Sequence, residues 1–357
     1  MSMSILSEQL VIAGEDITVY ATTANGQDEL PVEIATPVLV DGVKVIYFKR
    51  ITKDHTHLSP SLLTHLWRTA RDYDVIHIHA WWNLVSVLGC LVALMRKVPV
   101  VVSPRGTLSS YSFHNKNNGI KSLMHSWLGK PLLKKCFIHT TSKNEYDAMK
   151  VILPDNTIFN IPNFINLTRE KFRGYQPTDH LRIIFFSRIE EKKGLDILLN
   201  ALKSVTVPYK LTIAGDGNKV YVDQLKKLAS SNGIAGNIEW IGFQTDNKYQ
   251  LLYHHDVMVL PSHDENFGNV VIESLSVGTP VLISDNVGLA DYVKDNKFGW
   301  ICETNPSSVS AAINSISGKT DEIAYIKQTA PSQISVDFSY DKITARYIDM
   351  YNQITTK

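Results

Sequence analysis

A chain of 357 residues has the length of two ordinary domains, and 44% hydrophobic residues is enough for each to bury a core of its own, which excludes a disordered or fibrous protein. Lys and Arg total 36 against 35 Asp and Glu, so a net charge of +1 gives no whole-chain reason to expect nucleic acid as a partner. Cys90, Cys136 and Cys302 lack CxxC spacing, which leaves out a disulfide framework and a zinc site and points to a reducing, cytoplasmic compartment.

Ile5, Leu6, Leu10 and Val11 recur at helical spacing before Gly14, so the chain opens on a helix and not on the basic region and apolar block of a signal peptide. The β-branched runs 17–22, 43–48, 75–80 and 98–103 read as strands, separated by helical segments such as 60–72 and 84–96. The apolar stretch 84–95 is short of the ~20 residues a membrane-spanning helix needs and reads as a buried helix. A polar, turn-rich segment over 162–180, with Pro162 and Pro177, reads as an interdomain linker. A second series follows, with strands at 181–187, 210–215, 238–242, 257–262 and 280–284, helices at 194–205, 219–232, 246–254 and 268–277, and a closing helix at 338–356. Such alternation predicts two parallel-sheet domains, over 1–165 and 181–335, with 166–180 between them and a terminal helix, 336–357, returning toward the first.

Ligands of parallel sheets bind at the carboxyl ends of strands, so the residues just after each strand carry the candidate chemistry. After the run 181–187 come Arg188, Lys193 and Gly194, the last opening a helix. A guanidinium, an ammonium and a helix N-terminus together suit a diphosphate, although a solvated basic turn has the same composition. After 257–262, Glu265 lies in the loop while Glu273 lies about two turns into the next helix, too far apart for a close acid pair. Each carboxylate can accept sugar hydroxyls, one from a hexose and one from a ribose; a capping acid and a surface helix glutamate are the plainer readings. Gly215-Asp216-Gly217 offers a glycine pair for phosphate without the third glycine of the dinucleotide fingerprint. Asp72-Tyr73-Asp74 precedes its strand and so reads as structural, leaving no metal site.

In the first series His77 and His79 share one face of a strand, His77 reading as a core residue and His79 as the cleft candidate. Arg105 follows the next strand, placed either to face an anion or as a buried structural arginine. Residues 75–144 contain no Asp or Glu, and over 114–135 lysines alternate with Leu and Trp, a pattern that fits peripheral contact with an anionic membrane or a core helix with a solvated basic face.

Taken together, SRIEEKKG, AGDG, LPSHDENFGNVVIESLSVGTPV and FSYDKITARYIDMY resemble the retaining glycosyltransferase family 4. Its members have the GT-B fold, two Rossmann-like domains facing across a cleft. DVIHIHAWWN and PVVVSPRGT resemble the first-domain strands of a branch that builds bacterial surface polysaccharides. The resemblance implies that Arg188 and Lys193 hold the diphosphate of a nucleotide sugar and, with Glu265 on the transferred sugar, form the catalytic set. It further implies Glu273 on the ribose, the backbone of Phe267, Gly268 and Asn269 beside the phosphates, and no metal or cofactor; Gly215, after its strand, joins the donor-site candidates, and His79 and Arg105, by their positions after the first-unit strands, are the acceptor-side or cleft candidates. The implied reaction moves a hexose to a glycan or lipid-linked glycan. Two departures stand out: Arg105 occupies a position where many members have histidine, and no leading strand and glycine-rich loop precede the first helix. An open position in the first sheet is therefore expected. The competing reading is a catalytically inactive sugar-nucleotide or glycan-binding protein of the same fold.

Overall fold

The computed structural model describes residues 2–26, 28–52, 54, 56–108, 128–170, 172, 174–176 and 178–356. The chain divides into two compact units, Met1–Phe164 with Tyr340–Lys357, and Ile165–Ser339.

In the second unit six parallel strands lie in the order Ile238–Gly242, Tyr209–Ala214, Leu181–Phe186, Val257–Leu260, Val281–Ser284 and Gly299–Cys302. Val257–Leu260 and Val281–Ser284 are buried at every position, which is why they read as unbroken apolar runs in place of alternating ones. The strand order reverses between Leu181–Phe186 and Val257–Leu260, which makes the carboxyl ends of these two strands the topological switch point.

The segment expected to be a linker is docked onto this unit. Phe172 stacks on Tyr253 with ring centroids 5.5 Å apart, and the Tyr175 hydroxyl donates to Asp256 at 2.5 Å. Asp256 also accepts from the Arg182 guanidinium at 2.7 Å and from the Arg182 backbone N–H at 2.7 Å. Two aromatic rings in an otherwise polar stretch supply the anchoring that its turn-rich composition conceals.

In the first unit a four-stranded parallel sheet runs Ile76–His79, Val100–Ser103, Phe137–Thr140, Ile158–Asn160. A separate sheet pairs Thr18–Thr22 with Val43–Phe48 in parallel and adds Pro37–Val40 antiparallel. The turn between these last two strands puts Asp41 at φ 49° and Gly42 at φ 82°, the left-handed pair that a tight hairpin requires. The closing helix, Tyr340–Thr355, buries Ile343, Tyr347, Met350 and Ile354 and packs against Ser2–Ile12.

Among the described residues the two sheets of this unit share no hydrogen bonds, so Thr18–Thr22 and Ile76–His79 end as edges. Both strands are only half-buried at every position, whereas Val100–Ser103 is buried throughout. Yet Tyr20 and Ile76 pack on one core group, Leu66, Ala70 and Val98. The open position expected of this sheet lies between two edges that rest on a common core. Successive N–H groups of a strand point to opposite sides, and Ile76, Ala80 and Thr23 already donate to Pro99, Ser103 and Phe48. The amides of Tyr20, Thr22, His77 and His79 therefore face the gap. Hydrogen exchange should show them protected at least about tenfold less than Val101 and Val102; equal protection would mean the edges are covered.

Candidate functional site

Gly194 is what lets the two switch-point loops meet. It is left-handed at φ 70°, and a Cβ there would stand 2.1 Å from the Pro261 carbonyl oxygen, so any side chain forces the loops apart. Across this contact the His263 N–H donates to the Lys192 carbonyl at 2.8 Å. The result is an ion pair between Lys193 and Glu265, whose side chains are only 8% and 18% exposed. The Glu265 loop is held in turn by the next one, with Glu265 N–H on the Asn286 carbonyl at 3.2 Å and Gly288 N–H on the Glu265 carbonyl at 2.8 Å. An ammonium and a carboxylate that are distant in sequence thus share one partly dry spot at the switch point.

Arg188 stands outside this pair. Its side chain is 69% exposed and bonded to Glu190 at 2.7 Å, an arrangement worth at most about 1 kcal/mol and so readily exchanged for a ligand anion. Glu273, on the helix Asn269–Ser276, pairs with Lys248 at 2.8 Å and not with Glu265. Nothing in the sequence marks Lys248, because its helix, Lys248–Tyr253, carries no turn or glycine signature that points at Glu273. The Phe267 side chain is buried against Phe338, 6.3 Å between centroids, so only its backbone is available to a ligand. Gly268 at φ 93° sets the start of the helix at Asn269.

The glycine pair also has a packing explanation. A Cβ on Gly215 would lie 1.9 Å from the Ser187 carbonyl oxygen, and one on Gly217 2.1 Å from that of Ile189. The two glycines admit the close approach that lets Ile189 N–H donate to the Asp216 carbonyl at 2.8 Å.

In the first unit His77 and His79 stack with centroids 4.2 Å apart. Burial, followed by the Arg105 charge in the case of His79, holds both well below the usual histidine range. Arg105 is left-handed at φ 52°, as is Ala80 at φ 65° on the neighbouring strand end. Non-glycine residues adopt this conformation at a cost, and here two of them stand at adjacent strand ends. The Arg105 guanidinium donates to Asn163 Oδ1 at 2.6 Å, and the next N–H, of Gly106, donates to Glu145 Oε1 at 2.7 Å. Glu145 also accepts from Thr141 N–H at 2.9 Å while Ser142 caps its helix, so it ties the Arg105 turn to the adjacent strand end. The spacing Ser142-x-x-Glu145 is a capping-box signature through which sequence alone can find this residue.

Of the basic stretch 114–135, residues 114–127 lie outside the described residues. The remainder forms the short helix Lys130–Leu133, with Leu132 and Leu133 in the core and Lys130, Lys134 and Lys135 exposed. Among the described residues no helix is long and apolar enough to cross a membrane, and no three His, Cys, Asp or Glu side chains are grouped to hold a metal ion.

Two family models meet near the boundary of the units: Glycosyltransferase Family 4 matches residues 2–169, and Glycosyl transferases group 1 matches residues 168–333. The chain is accordingly a glycosyltransferase. Its fold is GT-B, with the family 4 pattern in the first half and the group 1 pattern, which contains Lys193, Glu265 and Glu273, in the second. It is 26% identical over 297 residues to an uncharacterized glycosyltransferase of Methanocaldococcus jannaschii, covering 78% of this chain and 75% of that one. A lipopolysaccharide core biosynthesis glycosyltransferase of Rhizobium meliloti is 29% identical over 175 residues, 49% of this chain and 50% of its own length. The structure of Anabaena HepE in complex with UDP and glucose matches with a TM-score of 0.70 at 19% identity, covering 88% of this chain and 87% of that one.

Proposed function

We propose that the protein transfers a hexose from a nucleotide diphosphate sugar, with retention, to a glycan or lipid-linked glycan of a bacterial surface polysaccharide. The observation that carries this reading is the Lys193–Glu265 pair at the switch point. Negative charge grows on the diphosphate as the glycosidic bond breaks, and a preorganised ammonium lowers that barrier without reorganising. Glu265 accepts hydroxyl hydrogens of the sugar, Glu273 those of the ribose, and the exposed Arg188 exchanges Glu190 for phosphate oxygens. Attack on the face that the diphosphate leaves preserves the anomeric configuration, and the departing diphosphate takes the acceptor proton. The relatedness to a lipopolysaccharide core enzyme supports the acceptor class.

Lys193 and Arg188 supply the positive charge that a divalent ion supplies elsewhere, so transfer should persist in EDTA. UDP-glucose is the first donor to test: at one hundred times its Kd it should stabilise the fold by about 2.7 kcal/mol, read as a rise in Tm. Absence of any shift across a panel of nucleotide sugars, or activity lost in EDTA and restored by manganese, would overturn the respective part of this reading.

The lipid-linked acceptor calls for a membrane surface, and each lysine near anionic lipid contributes about 1 kcal/mol. Flotation with phosphatidylserine vesicles should show binding that weakens with salt and falls when the exposed Lys130, Lys134 and Lys135 are neutralised. No flotation at low salt would point to a soluble acceptor.

A further inference from the structure

Two histidines of the first unit, the buried His139 and the half-buried His77, belong to a hydrogen-bonded chain whose direction a single atom sets. His139 Nε2 lies 3.0 Å from the Ile161 carbonyl oxygen, which only accepts, so the proton of the neutral ring is on Nε2. The Tyr347 oxygen, 3.2 Å from the same nitrogen, is a second acceptor for it. His139 Nδ1 is then a lone pair, and the Ser103 hydroxyl donates to it at 2.6 Å. Having donated, Ser103 Oγ accepts from His77 Nε2–H at 2.7 Å. That leaves His77 Nδ1 to accept from the Tyr351 hydroxyl at 2.7 Å. Every proton from Tyr351 to the Ile161 carbonyl is thereby placed. Burial supports neutrality at both rings, with His139 pushed down to about 3 and His77 well below its ordinary value.

His79 stacks on the ring that this chain immobilises, with an interplanar angle of 29°. Arg105 Nε–H, a donor at any ordinary pH, approaches His79 Nδ1 at 3.4 Å, so the proton of His79 is also on Nε2. No described residue accepts from that N–H, and it sits at the carboxyl end of its strand, where parallel sheets bind ligands.

We propose that His79 is a fixed hydrogen-bond donor to an oxygen of the acceptor substrate, and that Tyr351, His77, Ser103 and His139 are the residues that position it. This rests on the glycosyl-transfer reading above. With its one lone pair turned to Arg105, His79 has nothing with which to take the acceptor's proton, so it binds and orients the acceptor and leaves deprotonation to another group.

The test is nitrogen NMR of the full chain labelled with 15N-histidine. His77, His79 and His139 should each be neutral Nε2–H tautomers, unchanged between about pH 8 and about pH 5.5. Methyl α-glucoside and inorganic phosphate, added separately, distinguish a hydroxyl oxygen from a phosphate oxygen, and one of them should move His79 Nε2 while leaving His139 in place. His79→Phe should lower transfer to methyl α-glucoside by about tenfold and His79→Gln, which keeps an N–H, by less, each with unchanged donor affinity. Tyr351→Phe should broaden the His77 and His79 signals without altering UDP-glucose binding. An Nδ1–H tautomer at His79, titration of His79 within that pH range, or silence toward both probes would overturn the proposal. Failure to bind or turn over any nucleotide sugar would instead overturn the reading it rests on, and the tautomers would be measured all the same.

Discussion

Lys193→Ala is expected to lower kcat/KM for glycosyl transfer by about 10²- to 10³-fold, the loss that follows removal of one preorganised charge stabiliser. The same substitution should cost about 3 kcal/mol of stability, because it leaves the Glu265 carboxylate, 18% exposed, without its ammonium. These two losses separate in a double variant. Lys193→Met with Glu265→Leu removes both charges, so stability should return toward the parent while activity stays lost. Glu265→Gln should depress turnover more than nucleotide affinity, the outcome expected if its oxygens accept from the sugar hydroxyls as proposed and do not meet the phosphates. Arg188→Ala should do the reverse, weakening donor binding by about 1.5–3 kcal/mol with no loss of stability, because the Arg188–Glu190 pair is exposed. Donor affinity and turnover unchanged in a folded Lys193→Ala variant would remove the diphosphate assignment.

The second sheet is legible from sequence because its inner strands are β-branched runs bounded by Gly, Pro or Ser; Ile238–Gly242 is placed to the residue. Gly299–Cys302 is short and follows a lysine-rich turn, and the helix Thr320–Asp337 runs through Pro331, which ordinarily signals a break. Phe137–Thr140 and Ile158–Asn160 are too short to show alternation. The hairpin signal Asp41-Gly42 is stronger than the strand Pro37–Val40 it closes, whose Leu39 is largely exposed. Lys193 and Glu265 are found by one rule, the position just after a strand, but their contact depends on which strands are neighbours, and local pattern does not carry sheet order. Glu273–Lys248 is less accessible still, since neither residue follows a strand directly. At Gly215 and Gly217 the structure adds a need that sequence does not show, room for the Ser187 and Ile189 carbonyls.

Acid should destabilise the first unit beginning near pH 6.5, well above the range in which carboxylates titrate. His139 is held down to about 3 by burial, and His77 and His79 are held well below their ordinary value for the same leading reason. In the unfolded chain each returns to about 6.5. The unfolded state therefore binds protons first as pH falls, so stability is complete above about 6.5 and declines between there and each folded value, by about 1.4 kcal/mol per pH unit for each histidine involved. In the second unit His255 is held to about 4 by burial, and Asp256, held below its ordinary value mainly by Arg182 against the cost of burial, contributes stability that is lost only below about pH 3.9. The first unit, with three such rings in contact, should thus fail at higher pH than the second. Hydrogen exchange resolved by unit along an acid series would show the order, and His139→Asn should flatten the slope of the first unit by about one proton. A first unit equally stable at about pH 7.5 and about pH 5 would mean that the three rings are free to charge in place, and the hydrogen-bond directions assigned from the Ile161 carbonyl would have to be abandoned.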